Sequence, residues 1–121
     1  MTKRVLVVED TEDNRQILRD LLTNAGYELL EAVDGAAGVA MAASERPDLI
    51  LMDIQLPVLD GYEATRQIKA NAATKDIPII AVTSYALSGD EARTRAAGCE
   101  AYIAKPFSPR ELLAKVRGFI G

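Results

Sequence analysis

The sequence predicts an α/β protein, a doubly wound (βα)5 three-layer sandwich around a five-stranded parallel sheet. Three observations carry this expectation. Five short apolar runs, rich in β-branched residues or leucine, are continuous rather than alternating, as in strands buried on both faces. Five segments of helical pattern lie between and after them. Alternation at this spacing implies right-handed crossovers, which lay helices on both faces of one sheet.

The first strand is expected at 5–8, where Val5-Leu6-Val7-Val8 runs into Glu9-Asp10. A helix follows at 12–25, with Ile17, Leu18, Leu21 and Leu22 forming an apolar stripe between Arg15, Arg19 and Asp20. Gly26 sits where a left-handed residue would end it. The second strand is expected at 27–32 and its helix at 35–45. The third, at 49–52, reads Leu-Ile-Leu-Met and has the marks of a central strand. The helix at 61–72 opens with Asp60-Gly61-Tyr62-Glu63, a cap followed by a glutamate three residues on. The fourth strand is expected at 77–82 and the next helix at 89–97, opened by Ser88-Gly89-Asp90-Glu91 and closed by Gly98. The last strand, at 101–104, precedes a helix at 109–119 whose start, Ser108-Pro109-Arg110-Glu111, is a capping box with proline at the first helical position.

Bulk composition narrows the function. The 121 residues fit one domain spanning 1–121, and 49% apolar content is enough for a core without disulfides. Cys99 is the only cysteine, which excludes an internal disulfide and suits a reducing, cytoplasmic setting. No apolar run approaches the roughly 18 residues needed to span a bilayer. The run after Lys3-Arg4 ends at Glu9-Asp10, too short for a secretory leader, so no membrane association is expected. A net charge of −4 without a basic cluster argues against nucleic acid as a partner. With no histidine, a Ser-His triad, a His-type zinc site and a phosphohistidine of its own are all excluded.

In a doubly wound sheet, ligands bind at the carboxyl ends of the strands. There the sequence places Glu9-Asp10, Asp53, Thr83 and Lys105-Pro106. Three carboxylates crowded together repel one another unless a hard cation neutralises them, and their oxygens suit Mg2+ or Mn2+. A flavin or mononucleotide site would instead want glycines and open N–H groups after the first strand. Taken singly, Asp53 could merely cap a turn, Thr83 could be an ordinary strand-end threonine and Lys105 a surface lysine. Their joint placement favours a shared site. Lys105 also precedes proline, which favours an extended conformation and permits a cis peptide.

Five segments then carry a family resemblance. Val5-Leu6-Val7-Val8-Glu9-Asp10, Leu51-Met52-Asp53-Ile54-Gln55-Leu56-Pro57, Asp60-Gly61, Ala81-Val82-Thr83 and Ala104-Lys105-Pro106-Phe107 resemble the defining motifs of response-regulator receiver domains, and Met52-Asp53-Ile54-Gln55-Leu56-Pro57 with Gly98-Cys99-Glu100-Ala101-Tyr102 resemble especially those of stand-alone members. The resemblance implies a flavodoxin-like strand order, 2-1-3-4-5, and a signalling switch in a two-component phosphorelay. Asp53 would be the phosphoacceptor. Asp10 and Asp53 would bind Mg2+, with the Gln55 backbone carbonyl as third protein ligand and Glu9 acting through water. Thr83 would hydrogen-bond a phosphoryl oxygen and Lys105 pair with another. Tyr102 falls at the switch aromatic position, where it would turn inward as Thr83 moves. Gln55 and Tyr85 fall where side chains tune acyl-phosphate lifetime; many members carry methionine at the former, which leaves the rate open.

The resemblance also implies a sensor histidine kinase or histidine phosphotransfer protein as partner. Such a partner would dock on Asn14, Ile17, Pro106 and Phe107. With no output domain in the chain as given, a downstream protein target is expected. Two rivals deserve comparison. A haloacid-dehalogenase-type phosphohydrolase also uses an aspartate after a strand, but it wants an acid two residues on, where Gln55 stands. A pseudo-receiver that is never phosphorylated usually lacks the acidic pair, Asp, Thr or Lys, all present here. The expectation is therefore no enzyme in the turnover sense, only self-catalysed phosphorylation and its slow loss.

Overall fold

The computed structural model describes residues 2–83 and 90–121, with the side chain of Asp90 excepted. The element order is β1 (Arg4–Val8), α1 (Glu12–Asn24), β2 (Glu28–Ala32), α2 (Gly35–Glu45), β3 (Leu49–Asp53), α3 (Gly61–Ala70), β4 (Ile79–Thr83), α4 (Asp90–Ala97), β5 (Ala101–Ala104) and α5 (Pro109–Ile120). All strand pairs are parallel and the order is β2-β1-β3-β4-β5. The expected fold class and strand order are therefore the observed ones.

Side-chain alternation along each strand divides the interior in two. Leu6, Val8, Ile50, Met52, Ile79 and Ala81 face α2 and α3, packing on Ala42, Ala64 and Ile68. Val5, Val7, Leu49, Leu51, Ile80, Val82 and Ile103 face α1 and α5, packing on Leu18, Leu22, Leu112 and Val116. Burial on both faces is why the central strands are apolar at every position rather than at every second one. Ile17, counted in the apolar stripe of α1, is instead 54% exposed, because the buried stripe of that helix narrows to Leu18 and Leu22.

Turn chemistry sets the ends. Gly26 and Gly98 take φ of +96° and +114°, the left-handed positions expected after α1 and α4. Asp60 and Ser108 cap α3 and α5 by accepting from the backbone N–H of Glu63 and Glu111. Asp34 caps α2 in the same way through Ala37 N–H at 2.7 Å, a cap the sequence reading had not singled out. α3 stops at Ala70 rather than 72. The Asn71 backbone leaves the helical region there, and its side chain accepts from Ala73 N–H. β4 starts at Ile79 rather than 77, because Ile77 N–H is spent on Thr74 and Pro78 has none to give. The cap at Ser88 lies outside the described residues. Cys99 is buried, its Sγ 3.7 Å from Thr65 Oγ1, and burial pushes its thiol up to about 11.

Candidate functional site

The period of two that sorts the core also assembles the site. Glu9 continues the phase of Val5 and Val7, Asp53 that of Leu49 and Leu51, and Lys105 that of Ala101 and Ile103. All three therefore meet above the α1/α5 core. Lys105 Nζ lies 3.1 Å from Glu9 Oε2 and 3.4 Å from Asp53 Oδ2. Glu9 and Asp53 are 2% and 4% exposed, whereas Asp10 at the rim is exposed. Carboxylate oxygens of Glu9, Asp10 and Asp53 lie within 4.8 Å of one another. A set of oxygen donors this close, with two of them buried, fits a hard divalent cation and offers nothing to a soft one.

The two buried carboxylates are held by named donors. Asp53 Oδ1 accepts from Gln55 N–H at 3.0 Å. Glu9 Oε1 accepts from Thr11 N–H at 3.2 Å and from Asn14 Nδ2 at 3.4 Å. Thr11 is the residue before α1, yet its side chain does not cap the helix. The chain after Asp53 folds back tightly, with Gly61 N–H donating to Ile54 O at 3.0 Å. A Cβ on Gly61 would lie 2.3 Å from Asp53 O, so only glycine admits this approach.

The charges are strongly coupled. Burial pushes the Asp53 carboxyl up to about 7, helped by the neighbouring Glu9; Gln55 N–H and Lys105 pull the other way. Burial also acts to raise Glu9. Hydrogen bonding with Asp53 and the Lys105 cation outweigh it and hold Glu9 below the usual range. Burial would lower Lys105, but the two carboxylates more than offset it and raise it. Without metal, then, the Glu9–Asp53 pair gives up its last proton well above the ordinary carboxylate range, and Lys105 answers the remaining charge.

The other expected residues fall as follows. Thr83 is fully buried at the end of β4, in phase with Ile79 and Ala81, and its carbonyl accepts from Lys105 N–H at 2.7 Å. Tyr102 is half-buried on β5 opposite Ala81 and packs against the α2/α3 core, the same side of the sheet as Thr83. The Gln55 side chain is exposed beside the pocket. Tyr85 lies outside the described residues. The Lys105-Pro106 peptide is cis. Asn14, Ile17, Pro106 and Phe107 come together around a cleft of about 380 Å³ whose remaining walls are Glu9, Leu18 and Lys105. The exposed Ile17 thus borders the acidic pocket rather than the core.

Sequence reasoning missed Arg15. Its Nη1 donates to the Glu9 carbonyl at 2.8 Å, and its guanidinium also pairs with Glu12 and Glu31. The only hint in the sequence was Glu12 three residues earlier, which marks an i,i+3 ion pair and says nothing of the Glu9 carbonyl.

Comparison with known proteins points one way. Residues 5–117 match the family described as response regulator receiver domain. The chain is 45% identical over 121 residues to the polar-differentiation response regulator DivK of Brucella ovis, covering 100% of this chain and 98% of that one. The Brucella melitensis protein of that name gives the same figures. Among solved structures, the receiver domain of sensor histidine kinase PA1611 from Pseudomonas aeruginosa PAO1 aligns with a TM-score of 0.93. It is 41% identical, with 100% of this chain and 99% of that chain covered, and holds a magnesium ion coordinated in its active site cleft. Vibrio cholerae chemotaxis protein CheY4 aligns with a TM-score of 0.92 at 30% identity, over 99% and 100% of the two chains.

Proposed function

Since the chain belongs to the response regulator receiver domain family, we propose that it is a phosphorylation switch whose Asp53 accepts a phosphoryl group from a partner's phosphohistidine. The partner is a sensor histidine kinase or a histidine phosphotransfer protein. The observation that carries the reading is the meeting of three carboxylates within 4.8 Å, two of them buried and bridged by Lys105.

In the transfer, an Asp53 carboxylate oxygen attacks phosphorus. The O–P bond forms as the P–N bond to the partner's imidazole breaks, and the nitrogen leaves with the electron pair. Asp10 and Asp53, with the Gln55 backbone carbonyl and Glu9 through water, would hold Mg2+, and Mn2+ would satisfy the same oxygen set. When bound, the cation would supply charge neutralisation for the phosphoryl oxygens and would keep Asp53 ionised against the upward push of burial. Lys105 exchanges Asp53 for a phosphoryl oxygen, and the Thr83 hydroxyl donates to another. Thr83 and Tyr102 share one side of the sheet, so movement of the first changes the space open to the second. The surface of α4, β5 and α5 then presents a different shape to a downstream protein. Gln55 and Tyr85 set how readily water reaches the acyl phosphate.

The cleft beside Asn14, Ile17, Pro106 and Phe107 receives the phosphodonor protein, since its apolar walls lead to the acidic pocket. The chain does not turn over a separate substrate: its chemistry is its own phosphorylation and the slow loss of that group. We assign all 121 residues to this one receiver unit, acting in the cytoplasm beside its kinase and without nucleic acid or membrane as partner. None of the described helices is long and apolar enough to cross a membrane.

Intact-mass spectrometry after incubation with acetyl phosphate tests the reading. Wild type should gain a Mg2+-dependent, hydroxylamine-labile phosphoryl adduct that Asp53→Asn lacks. A mutant labelled as well as the parent would show that Asp53 is not the acceptor. No adduct on folded wild type would mean a pseudo-receiver.

A further inference from the structure

We infer that Arg15 is a positioning residue for the metal pocket, holding Asp10 in place through the backbone rather than through any carboxylate. The inference rests on the proposed Mg2+-dependent switch and deepens it. The Glu9 carbonyl and the Asp10 N–H belong to one rigid peptide plane. Arg15 Nη1 donates to that carbonyl at 2.8 Å, so the guanidinium fixes the plane from which the Asp10 side chain departs.

The other donors of Arg15 are tied to firm ground. It pairs with Glu12 in the first turn of α1 and with Glu31 at 3.4 Å near the end of β2. Glu31 is itself gripped by Arg19, through contacts of 2.8 and 2.7 Å. The Arg15 side chain is only 12% exposed, so the bracket is packed rather than waving in solvent.

Need for such a bracket follows from the charge. Asp10 is the exposed member of three mutually repelling carboxylates and the one best able to swing away. Lys105 relieves the repulsion but does so by occupying an oxygen each of Glu9 and Asp53. Arg15 holds the turn through the Glu9 carbonyl and itself takes none of the three carboxylates' oxygens. Bringing in a positive charge should by itself weaken cation binding, so the sign of the mutant effect separates positioning from simple electrostatics.

Calorimetric titration of the metal-free full chain with MgCl2 makes the test, on wild type, Arg15→Met and Arg15→Lys. Loss of an outer-shell support typically costs 10–100-fold, so Arg15→Met should bind Mg2+ about tenfold more weakly. Arg15→Lys, whose shorter ammonium can still donate to that carbonyl, should recover part of this. Acetyl phosphate labelling of Arg15→Met should be slow at limiting Mg2+ and return to the parental rate at saturation. Thermal melts in EDTA confirm that each variant is folded at the titration temperature. Unchanged or tighter Mg2+ binding by folded Arg15→Met would overturn the inference while leaving the switch intact. Wild type that takes up no Mg2+ would instead remove the switch reading and this inference with it.

Discussion

Asp53 is a carboxylate held against its preference for charge. Burial first, and Glu9 second, push its carboxyl up to about 7 from an ordinary 3.8. Between those values the folded state holds a proton that the unfolded state has released, so metal-free stability should fall as pH rises from about 4 to 7. Glu9 works the other way: its lowered folded-state value gives stability that is present above its ordinary 4.5 and lost as pH drops. Asp53→Asn removes the first effect. Its gain over wild type in EDTA should therefore be larger at pH 8 than at pH 5, by about 2 kcal/mol or roughly 8 °C in melting temperature. A gain that stays constant with pH would mean Asp53 is not the titrating group. At this scale the site was largely legible in the sequence, because a strand's period of two decides which strand-end residues share a face. Glu9, Asp53 and Lys105 obey that period. Arg15 was not legible: its i,i+3 spacing marks the pair with Glu12, but no spacing rule marks a guanidinium reaching past the helix start to the Glu9 carbonyl.

Helices are the elements whose ends carry the site, and their caps are single, replaceable contacts. Asp34 takes Ala37 N–H at 2.7 Å at the start of α2, the helix whose first residue, Gly35, sits against the backbone of the loop after Asp53. A Cβ on Gly35 would lie 1.9 Å from Leu59 O, so this helix start and that loop must fit as one unit. Asp34→Ala should cost about 1 kcal/mol in urea denaturation, the usual loss for a capping carboxylate, with the extent of phosphorylation at 25 °C unchanged. A loss within error of zero would show that water replaces the cap. Of the helix starts, those at Asp60 and Ser108 were readable from cap-plus-glutamate spacing. Asp34 was not, because no glutamate or glutamine follows three residues on. The end of α3 and the start of β4 shifted where a turn used a backbone N–H locally, as Asn71 and Ile77 do.

At the scale of the whole molecule, the acidic pocket is a weak point that a ligand can repair. A cation that binds only the folded chain adds about 2.7 kcal/mol at a concentration 100 times its Kd, which raises the melting temperature by roughly 10 °C. Mg2+ should therefore stabilise wild type at pH 8, and Asp10→Ala should lose most of that rise. An equal rise in the mutant would place the stabilising ion elsewhere. The three-layer architecture followed from alternation of patterns, but the strand order came only with the family resemblance, since apolar runs do not say which neighbour they choose. That order gives the sheet two separate interiors, one against α2 and α3 and the other against α1 and α5. Their methyl groups should form two spectroscopic populations in a single sample. Met52 and Ile79 see one side, Val82 and Ile103 the other. An event at the rim that is local to the α1/α5 side disturbs only the second population, whereas one relayed through Thr83 to Tyr102 disturbs both. The wall between the two interiors thus makes the direction of signal flow readable from which methyl resonances move.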